Sequence, residues 1–108
     1  ALSEGITLTK KAGCDPEIFL KILNSTYFKT GMSEGKAYKM VDENVEPTFT
    51  LANLKKDLDT INDAAESFGS ELPMAKIARK IYADATDAGF GDLDYTGIIS
   101  YIRKLSKK

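Results

Sequence analysis

The sequence predicts an all-α fold of about six helices, and three observations lead to this prediction. Apolar residues recur every three or four positions along most of the chain, the spacing that lines one face of a helix. Capping residues and prolines begin these segments, and glycines end them. No segment alternates apolar and polar residues with the period of two that is typical of a half-buried strand.

The first two helices are predicted from their start and stop signals. The opening helix is expected to end near Gly13, because glycine readily adopts the left-handed conformation that closes a helix. Asp15 and Pro16 then form an N-cap and a first helical residue. The second helix ends near Ser25, and its predicted buried face consists of Ile18, Phe19, Ile22 and Leu23.

A weaker third helix is predicted after a connection that contains two aromatic residues. Ser33 is the N-cap candidate, and the segment Asn44–Pro47 ends the helix because residues before a proline avoid the helical region. Its predicted buried residues are Ala37, Met40 and Val41.

The clearest element is one long amphipathic helix that begins after Thr50 and ends at Gly69. Its apolar residues follow at spacings of three and four over about five turns. The stripe consists of Leu51, Leu54, Leu58, Ile61, Ala65 and Phe68, and the first four are expected in the core. A stripe of this length is compatible with burial against two neighbouring helices or with packing against a partner chain.

Two further helices complete the predicted fold. One begins at Leu72-Pro73 and ends at Gly89, and the other is capped by Asp94. Their predicted buried residues are Met74, Ile77, Ala78, Ile81 and Ala85 in the first, and Ile98, Ile99, Ile102 and Leu105 in the second.

Composition excludes many functions without naming one. The chain has 108 residues, enough for one domain, with 15 basic and 16 acidic residues and a net charge of −1. Because neither half is basic, we expect no nucleic-acid partner. With no histidine and one cysteine, the chain lacks the ligands of most zinc sites and the base of a histidine-dependent triad. We predict no bound metal, no membrane association and, because no signal peptide is visible, a cytoplasmic location.

The segment Phe49–Leu58 carries the candidate site residues. On a helical wheel, Lys56 lies nearly opposite the apolar stripe and Asp57 lies on its margin, while Phe49 stands just before the helix. Taken alone, this pattern is typical of a solvated lysine and a flanking acid. No glycine-rich nucleotide motif is present, because Gly89-Phe90-Gly91 follows a helix and lacks the third glycine.

Several motifs in order make the chain resemble the C-terminal helical domain of β-hydroxyacid dehydrogenases. This family includes 3-hydroxyisobutyrate dehydrogenase, tartronate semialdehyde reductase and glyoxylate/succinic semialdehyde reductase. Phe49 to Leu58 is similar to the family pattern F-x-x-x-x-x-x-K-D-L. The turn Lys11–Pro16 resembles its K-A-G-x-D, and Gly89–Thr96 resembles its G-x-G-D-x-D-x-S. The resemblance covers essentially the whole chain.

The resemblance implies a fold like the C-terminal domain of 6-phosphogluconate dehydrogenase, and a function. Residues 1–108 would be a helical substrate-cleft and oligomerisation domain. An N-terminal Rossmann domain that binds NAD or NADP would lie outside this chain, in a longer protein called the parent enzyme below. Lys56 would then contact the cofactor, and Phe49 and Asp57 would line the substrate cleft. The family's catalytic lysine would precede Ala1, so we expect the isolated chain to be inactive.

Two interpretations therefore remain. The first is a domain of an NAD(P)-dependent enzyme that oxidises a small 3-hydroxy acid or reduces the matching semialdehyde, and that forms dimers or larger oligomers. The second is a free-standing helical module that dimerises or binds a partner protein through its long apolar stripe. An upstream Rossmann sequence in the gene would support the first interpretation, and an immediate start codon would support the second.

Overall fold

A computed structural model describes residues 1–106, and these residues form the predicted all-α fold. They contain seven α-helices rather than about six, together with a π-helical turn at Thr86–Phe90 and a 3₁₀ turn at Tyr95–Gly97. The helices are α1 Leu2–Lys11, α2 Pro16–Asn24, α3 Gly31–Glu34, α4 Lys36–Val41, α5 Leu51–Phe68, α6 Pro73–Ala85 and α7 Ile98–Leu105.

The additional helix arises because the predicted third helix is divided in two. Thr30, not Ser33, is the N-cap of α3: its hydroxyl accepts a hydrogen bond from the Ser33 amide at 3.0 Å. The Ser33 hydroxyl in turn accepts from the Thr30 amide at 2.7 Å, which completes a reciprocal capping box. Gly35, with φ −116° and ψ −87°, leaves the helical region and separates α3 from α4.

The other predicted helix signals act largely as expected. The Asp15 side chain accepts from the Glu17 amide at 2.9 Å, and Pro16 opens α2. Thr50 caps α5 by accepting from the Asn53 amide at 3.2 Å. Gly69 closes α5 with φ +70°. The helix predicted to reach Gly89 ends earlier, at Ala85, and continues as the π-helical turn.

The chain divides into two compact units, of which the first contains residues 1–45 and the segment from Ile99 onward. Within this unit, the Glu43 carboxylate joins α7 to the residues that follow α4. One Glu43 oxygen accepts from the Ser100 hydroxyl at 2.7 Å, and the other pairs with Arg103 Nε at 2.8 Å. The core of the unit consists of Ile6, Leu20, Ala37, Met40 and Ile99.

The predicted buried face of α2 is partly wrong. Leu20 is completely buried, whereas Ile18 and Ile22 are 55% and 62% exposed. The reason is the contact between α1 and α2: the Phe19 ring lies only 2.7 Å from the point where a Cβ on Gly5 would stand. Glycine thus lets Phe19 pack directly on α1, and this rotation of α2 directs Leu20 towards the core.

The second unit contains residues 46–98, with α5 and α6 as its main helices. Asn62 is buried on α5, and its amide nitrogen donates to the Leu58 carbonyl at 2.7 Å and to the Ala75 carbonyl of α6 at 3.2 Å. A side chain of α5 therefore bonds directly to the backbone of α6.

The apolar stripe of α5 is buried only in part, which corrects the sequence prediction. Leu51 and Ala65 are buried, but Ile61 is 47% and Phe68 is 85% exposed. A stripe that alternates spacings of three and four drifts around a helix with 3.6 residues per turn. Towards its C-terminal end the stripe turns away from the buried side, and Asn62 occupies the buried position there.

Two methionines provide a matched test of this fold. Met40 is 1% exposed within the core of the first unit, while Met74 is 84% exposed on α6. We expect Met40→Ala to lower the free energy of unfolding by about 2–5 kcal/mol, because it leaves a cavity. Met74→Ala should change it by less than about 0.5 kcal/mol. Urea unfolding followed by circular dichroism measures both, and equal effects would contradict the described burial.

Candidate functional site

The N-terminal end of α5, which contains the predicted site residues, is held by the segment Gly91–Thr96. An isolated antiparallel bridge joins Thr50 to Asp94. The amide of Leu51 donates to the Leu93 carbonyl at 2.8 Å, and the amide of Ala52 donates to the Gly91 carbonyl at 3.0 Å. These first-turn amides lack partners within the helix and are what would otherwise bind an anion. Because the protein itself satisfies them, a phosphate group at this end of α5 would depend on side chains.

Asp94 is the central residue of this arrangement and is 2% exposed. One carboxylate oxygen accepts from the Thr48 amide at 3.0 Å, from the Thr48 hydroxyl at 3.2 Å and from the Phe49 amide at 3.4 Å. The other accepts from the Thr96 amide at 3.2 Å and from the Thr96 hydroxyl at 2.6 Å. Asp94 therefore caps the 3₁₀ turn and also fixes the backbone that leads into α5.

Sequence reasoning predicted the capping role of Asp94 but missed its bonds to Thr48 and Phe49. The capping signal is local, since Asp94 and Thr96 are two positions apart. The second set of bonds joins residues 45 and 46 positions apart. The only sequence signal for it was the family-like run from Gly89 to Thr96, which indicated a shared structural pattern without naming its partner.

Phe49 is held in place from several directions. Its carbonyl accepts from the Tyr95 amide at 2.7 Å. Its ring meets the Tyr95 ring edge to face, with centroids 6.2 Å apart and planes at 69°. The ring is 39% exposed, so an immobilised aromatic surface remains open to a ligand.

Tyr82 supports this aromatic pair from α6. Its hydroxyl donates to the Tyr95 carbonyl at 3.4 Å. Burial, together with smaller contributions from the nearby Tyr95 and Asp94, raises the pKa of Tyr82 to about 12. The phenol is therefore protonated at neutral pH and acts as a hydrogen-bond donor to the backbone.

Lys56 and Asp57 are both exposed on α5. Lys56 follows Leu51 by five residues, which places it about 140° around the helix from that buried leucine. Neither side chain forms an ion pair with any residue in 1–106, whereas the adjacent Lys55 pairs with Asp59 at 2.8 Å. Lys56 is thus a cation on a fixed helix whose charge no described residue neutralises.

Of the three predicted site residues, Phe49 lies beside Asp94, whereas Lys56 and Asp57 lie elsewhere on α5. Phe49 lies within the hydrogen-bonded group around Asp94, and its ring contacts Tyr95. Lys56 and Asp57 lie further along α5 and about 100° apart around its axis, so they do not project in the same direction. Whether these three side chains line a cleft remains a prediction.

Residues 1–106 contain neither a metal-binding cluster nor a membrane-spanning helix. This part of the chain has no group of three side chains that could hold a metal ion. Among its helices, none combines the length and apolar character that crossing a membrane requires.

Comparison with known proteins identifies the class. The sequence profile of the family described as "NAD-binding of NADP-dependent 3-hydroxyisobutyrate dehydrogenase" matches residues 1–102. The chain therefore belongs to this family of NAD(P)-dependent 3-hydroxyacid dehydrogenases, as the motifs predicted.

Individual relatives agree with this assignment. The chain is 28% identical to glyoxylate/succinic semialdehyde reductase 1 of Arabidopsis thaliana over 95% of its own length and 36% of that protein. It is 26% identical to the mitochondrial 3-hydroxyisobutyrate dehydrogenase of Drosophila melanogaster, over 95% of this chain and 34% of that protein. The chain thus spans about a third of the length of these relatives.

A solved structure shows the same fold. The chain is similar to the crystal structure of a 3-hydroxyisobutyrate dehydrogenase from Salmonella typhimurium, with a TM-score of 0.84 and 24% identity. The similarity covers 93% of this chain and 35% of that one.

The importance of Asp94 is testable against its neighbour Asp92, which is exposed. Asp94→Ala leaves the amides of Thr48, Phe49 and Thr96 without their acceptor. We expect a loss of roughly 2–3 kcal/mol in unfolding free energy, because the buried Thr96 donors and the part-buried Thr48 and Phe49 donors lose a charged acceptor together. Asp92→Ala should cost less than about 0.5 kcal/mol.

Amide hydrogen exchange tests the role of Asp94 at individual residues. In Asp94→Ala, the Thr48 and Phe49 amides should exchange faster than in the Asp92→Ala protein. Unchanged protection of both amides would mean that the carboxylate does not hold this backbone.

Proposed function

We propose that this chain is the C-terminal helical domain of an NAD(P)-dependent β-hydroxyacid dehydrogenase. The parent enzyme would oxidise a small 3-hydroxy acid or reduce the matching semialdehyde. Its own Rossmann domain would bind NAD or NADP, and the helical domain would complete the substrate cleft and contribute to a dimer or larger oligomer. The coverage of about a third of each relative supports a domain of a larger enzyme.

The observation that best supports a role in cofactor binding is the unpaired Lys56 on a rigid helix. The Asp94 hydrogen bonds and the Thr50 cap fix the start of α5, so the Lys56 backbone has little freedom. A phosphate or carboxylate group that approaches this surface would meet the lysine ammonium rather than backbone amides, since those of Leu51 and Ala52 are already bonded. The chain thus offers one point charge for such a group.

Phe49 has a complementary part in the proposed cleft. When bound, a nicotinamide cofactor supplies the hydride chemistry, and the protein supplies binding, orientation and exclusion of water. The Phe49 ring, fixed edge to face on Tyr95, provides an apolar wall that would exclude water from one side. Asp57, about 100° further around α5, is exposed and would meet polar parts of the substrate or cofactor.

The alternative of a free-standing interaction module is supported by the exposed apolar side chains of the second unit. Ile61, Phe68, Met74 and Ile77 are all substantially exposed. Such residues are expected both on a partner-binding module and on a domain whose surface the rest of its protein covers. The coding sequence upstream of this chain discriminates between the two.

Lys56→Ala in the parent enzyme tests the proposed cofactor contact. We expect kcat/KM to fall about ten- to a hundredfold, the equivalent of roughly 1.5–3 kcal/mol for a lost hydrogen bond to a charged group. Lys56→Arg should retain more activity than Lys56→Ala. In the 108-residue chain, Lys56→Ala should change stability by less than about 0.5 kcal/mol, because the side chain is exposed.

The adjacent lysine is the matched control. Lys55 is engaged with Asp59, so Lys55→Ala should leave the kinetics of the parent enzyme nearly unchanged. If Lys56→Ala also left kcat/KM unchanged, Lys56 would be only a solvated residue.

The isolated chain should have no dehydrogenase activity. By the family resemblance, both the catalytic lysine and the Rossmann domain lie outside it. The measurement is NAD(P)-linked oxidation of 3-hydroxyisobutyrate by the purified chain. A turnover that depends on the chain would overturn the proposed division of roles between the two domains.

A further inference from the structure

A cleft of about 410 Å³ lies within the first unit, beside the C-terminal ends of α1 and α7. We call it the basic cleft. Small-molecule sites have volumes of about 300–1,000 Å³, so the basic cleft has room for a ligand larger than a simple ion. Its lining includes the buried side chains of Thr7 and Ile99 and the charged side chains of Lys10, Lys11, Glu43 and Arg103.

Positive charge is in excess in the basic cleft, because three cations line it together with one carboxylate. The Glu43 carboxylate pairs with Arg103 Nε at 2.8 Å. Lys10 and Lys11 form no ion pair with any residue in 1–106. The charges of the two lysines are therefore available to an anion.

The carbonyls that end α1 do not need these lysines. Backbone amides of residues 12–14 donate to the carbonyls of Leu8, Thr9 and Lys10 at 2.9–3.0 Å. Gly13, with φ +80°, allows the turn that brings these amides back over the helix end. Because backbone amides already satisfy the carbonyls, the lysine ammonium groups are not required to cap the helix.

Two of the three cations are held in place without a ligand. Lys10 Nζ donates to the carbonyl of Val41, which is 31 positions away along the chain. Arg103 is held by Glu43, whose other oxygen accepts from the Ser100 hydroxyl at 2.7 Å. An ammonium and a guanidinium each have more N–H donors than these contacts use. Donors that are already positioned reduce the entropic cost of binding.

A phosphate monoester suits these donors better than a carboxylate does. At neutral pH it carries about two negative charges and three strong acceptor oxygens, whereas a carboxylate has one charge and two oxygens. Arginine binds phosphate through its planar fork, and lysine binds it as a point charge. Glu43 repels a second anion but can accept from a hydroxyl group, which favours a phosphate that is attached to a hydroxyl-bearing group.

We propose that the basic cleft binds a small phosphorylated polyhydroxy compound, such as a sugar phosphate. The phosphate accepts hydrogen bonds from Lys10, Lys11 and Arg103, and a hydroxyl of the ligand donates to Glu43. This site lies in the first unit, whereas the segment Phe49–Leu58 belongs to the second. The inference rests on the cleft and its charges, and it does not depend on the proposed dehydrogenase activity.

Isothermal titration calorimetry of the 108-residue chain with ribose 5-phosphate tests the site. Inorganic phosphate and unphosphorylated ribose are titrated at the same ionic strength for comparison. We expect ribose 5-phosphate to bind at least about threefold more tightly than inorganic phosphate, because its hydroxyls add a hydrogen bond to a charged acceptor. Ribose alone should give no measurable binding.

A pair of charge-matched variants tests the role of the cations. Lys11→Gln should weaken the binding of ribose 5-phosphate by about tenfold or more, because it removes a charge-assisted hydrogen bond. Lys21→Gln makes the same change in net charge on the exposed side of α2, outside the basic cleft. It should weaken binding by less than about twofold, since salt screens distant charges. Circular dichroism shows whether both variants fold.

Amide chemical shifts locate the bound phosphate. On addition of ribose 5-phosphate, the largest changes should occur at the ends of α1 and α7, around Lys10 and Arg103. The second unit contains another cleft with two cations, Lys76 and Arg79, which is the internal reference. Shifts there should be much smaller.

Four results would overturn the proposal. Absence of phosphate binding would mean that the cations only interact with solvent. Equal weakening by Lys11→Gln and Lys21→Gln would indicate diffuse electrostatic attraction. Largest shifts around Lys76 and Arg79 would move the site to the second unit. Equal affinity for ribose 5-phosphate and inorganic phosphate would exclude the hydroxyl contact with Glu43 and leave an adventitious ion only.

Discussion

The second unit depends on one buried carboxylate, that of Asp94. A carboxylate so far from water is costly unless it accepts hydrogen bonds, and this one accepts five from Thr48, Phe49 and Thr96. One oxygen caps the 3₁₀ turn that precedes α7. The other accepts hydrogen bonds from Thr48 and Phe49, just before α5. Because the same side chain orders both segments, the beginning of α5 and the Gly91–Thr96 run are fixed together.

This arrangement determines what the N-terminal end of α5 can do. A free helix N-terminus offers several amides to an anion. Here, carbonyls of the Gly91–Thr96 run and the Thr50 hydroxyl satisfy the amides of Leu51, Ala52 and Asn53. A charged ligand at this end of α5 would therefore be bound by exposed side chains of the helix and not by its backbone amides. Among these, Lys56 differs from Lys55 because it has no ion pair within residues 1–106.

The sequence was sufficient to predict the features that depend on neighbouring residues. The caps at Asp15 and Thr50 and the left-handed Gly69 involve contacts within a few positions, so residue type and order identify them. The N-cap of α3 was assigned to Ser33 instead of Thr30 because both residues are good caps, and the break at Gly35 was missed. Only the geometry shows that they act as a reciprocal pair.

Features set by packing between distant segments could not be predicted in the same way. Periodicity shows that α2 has apolar residues, but the orientation of the helix depends on the contact between Phe19 and Gly5 in another helix. The bond from Asn62 to the Ala75 carbonyl likewise requires a partner on α6. For the candidate site, the segment Phe49–Leu58 was predictable from its resemblance to a family. The way Asp94 fixes Phe49 was not.

The wrong face predicted for α2 has an informative cause. An amphipathic helix at the surface of a single domain has one apolar side. In α2, Leu20 is directed into the core, while Ile18 and Ile22 are directed away from it, so apolar residues occur on two sides. Helical periodicity then gives two overlapping stripes, and the sequence alone cannot assign either stripe to the core. Within the first unit, the contact of Phe19 with Gly5 orients α2 so that the stripe containing Leu20 packs into the core.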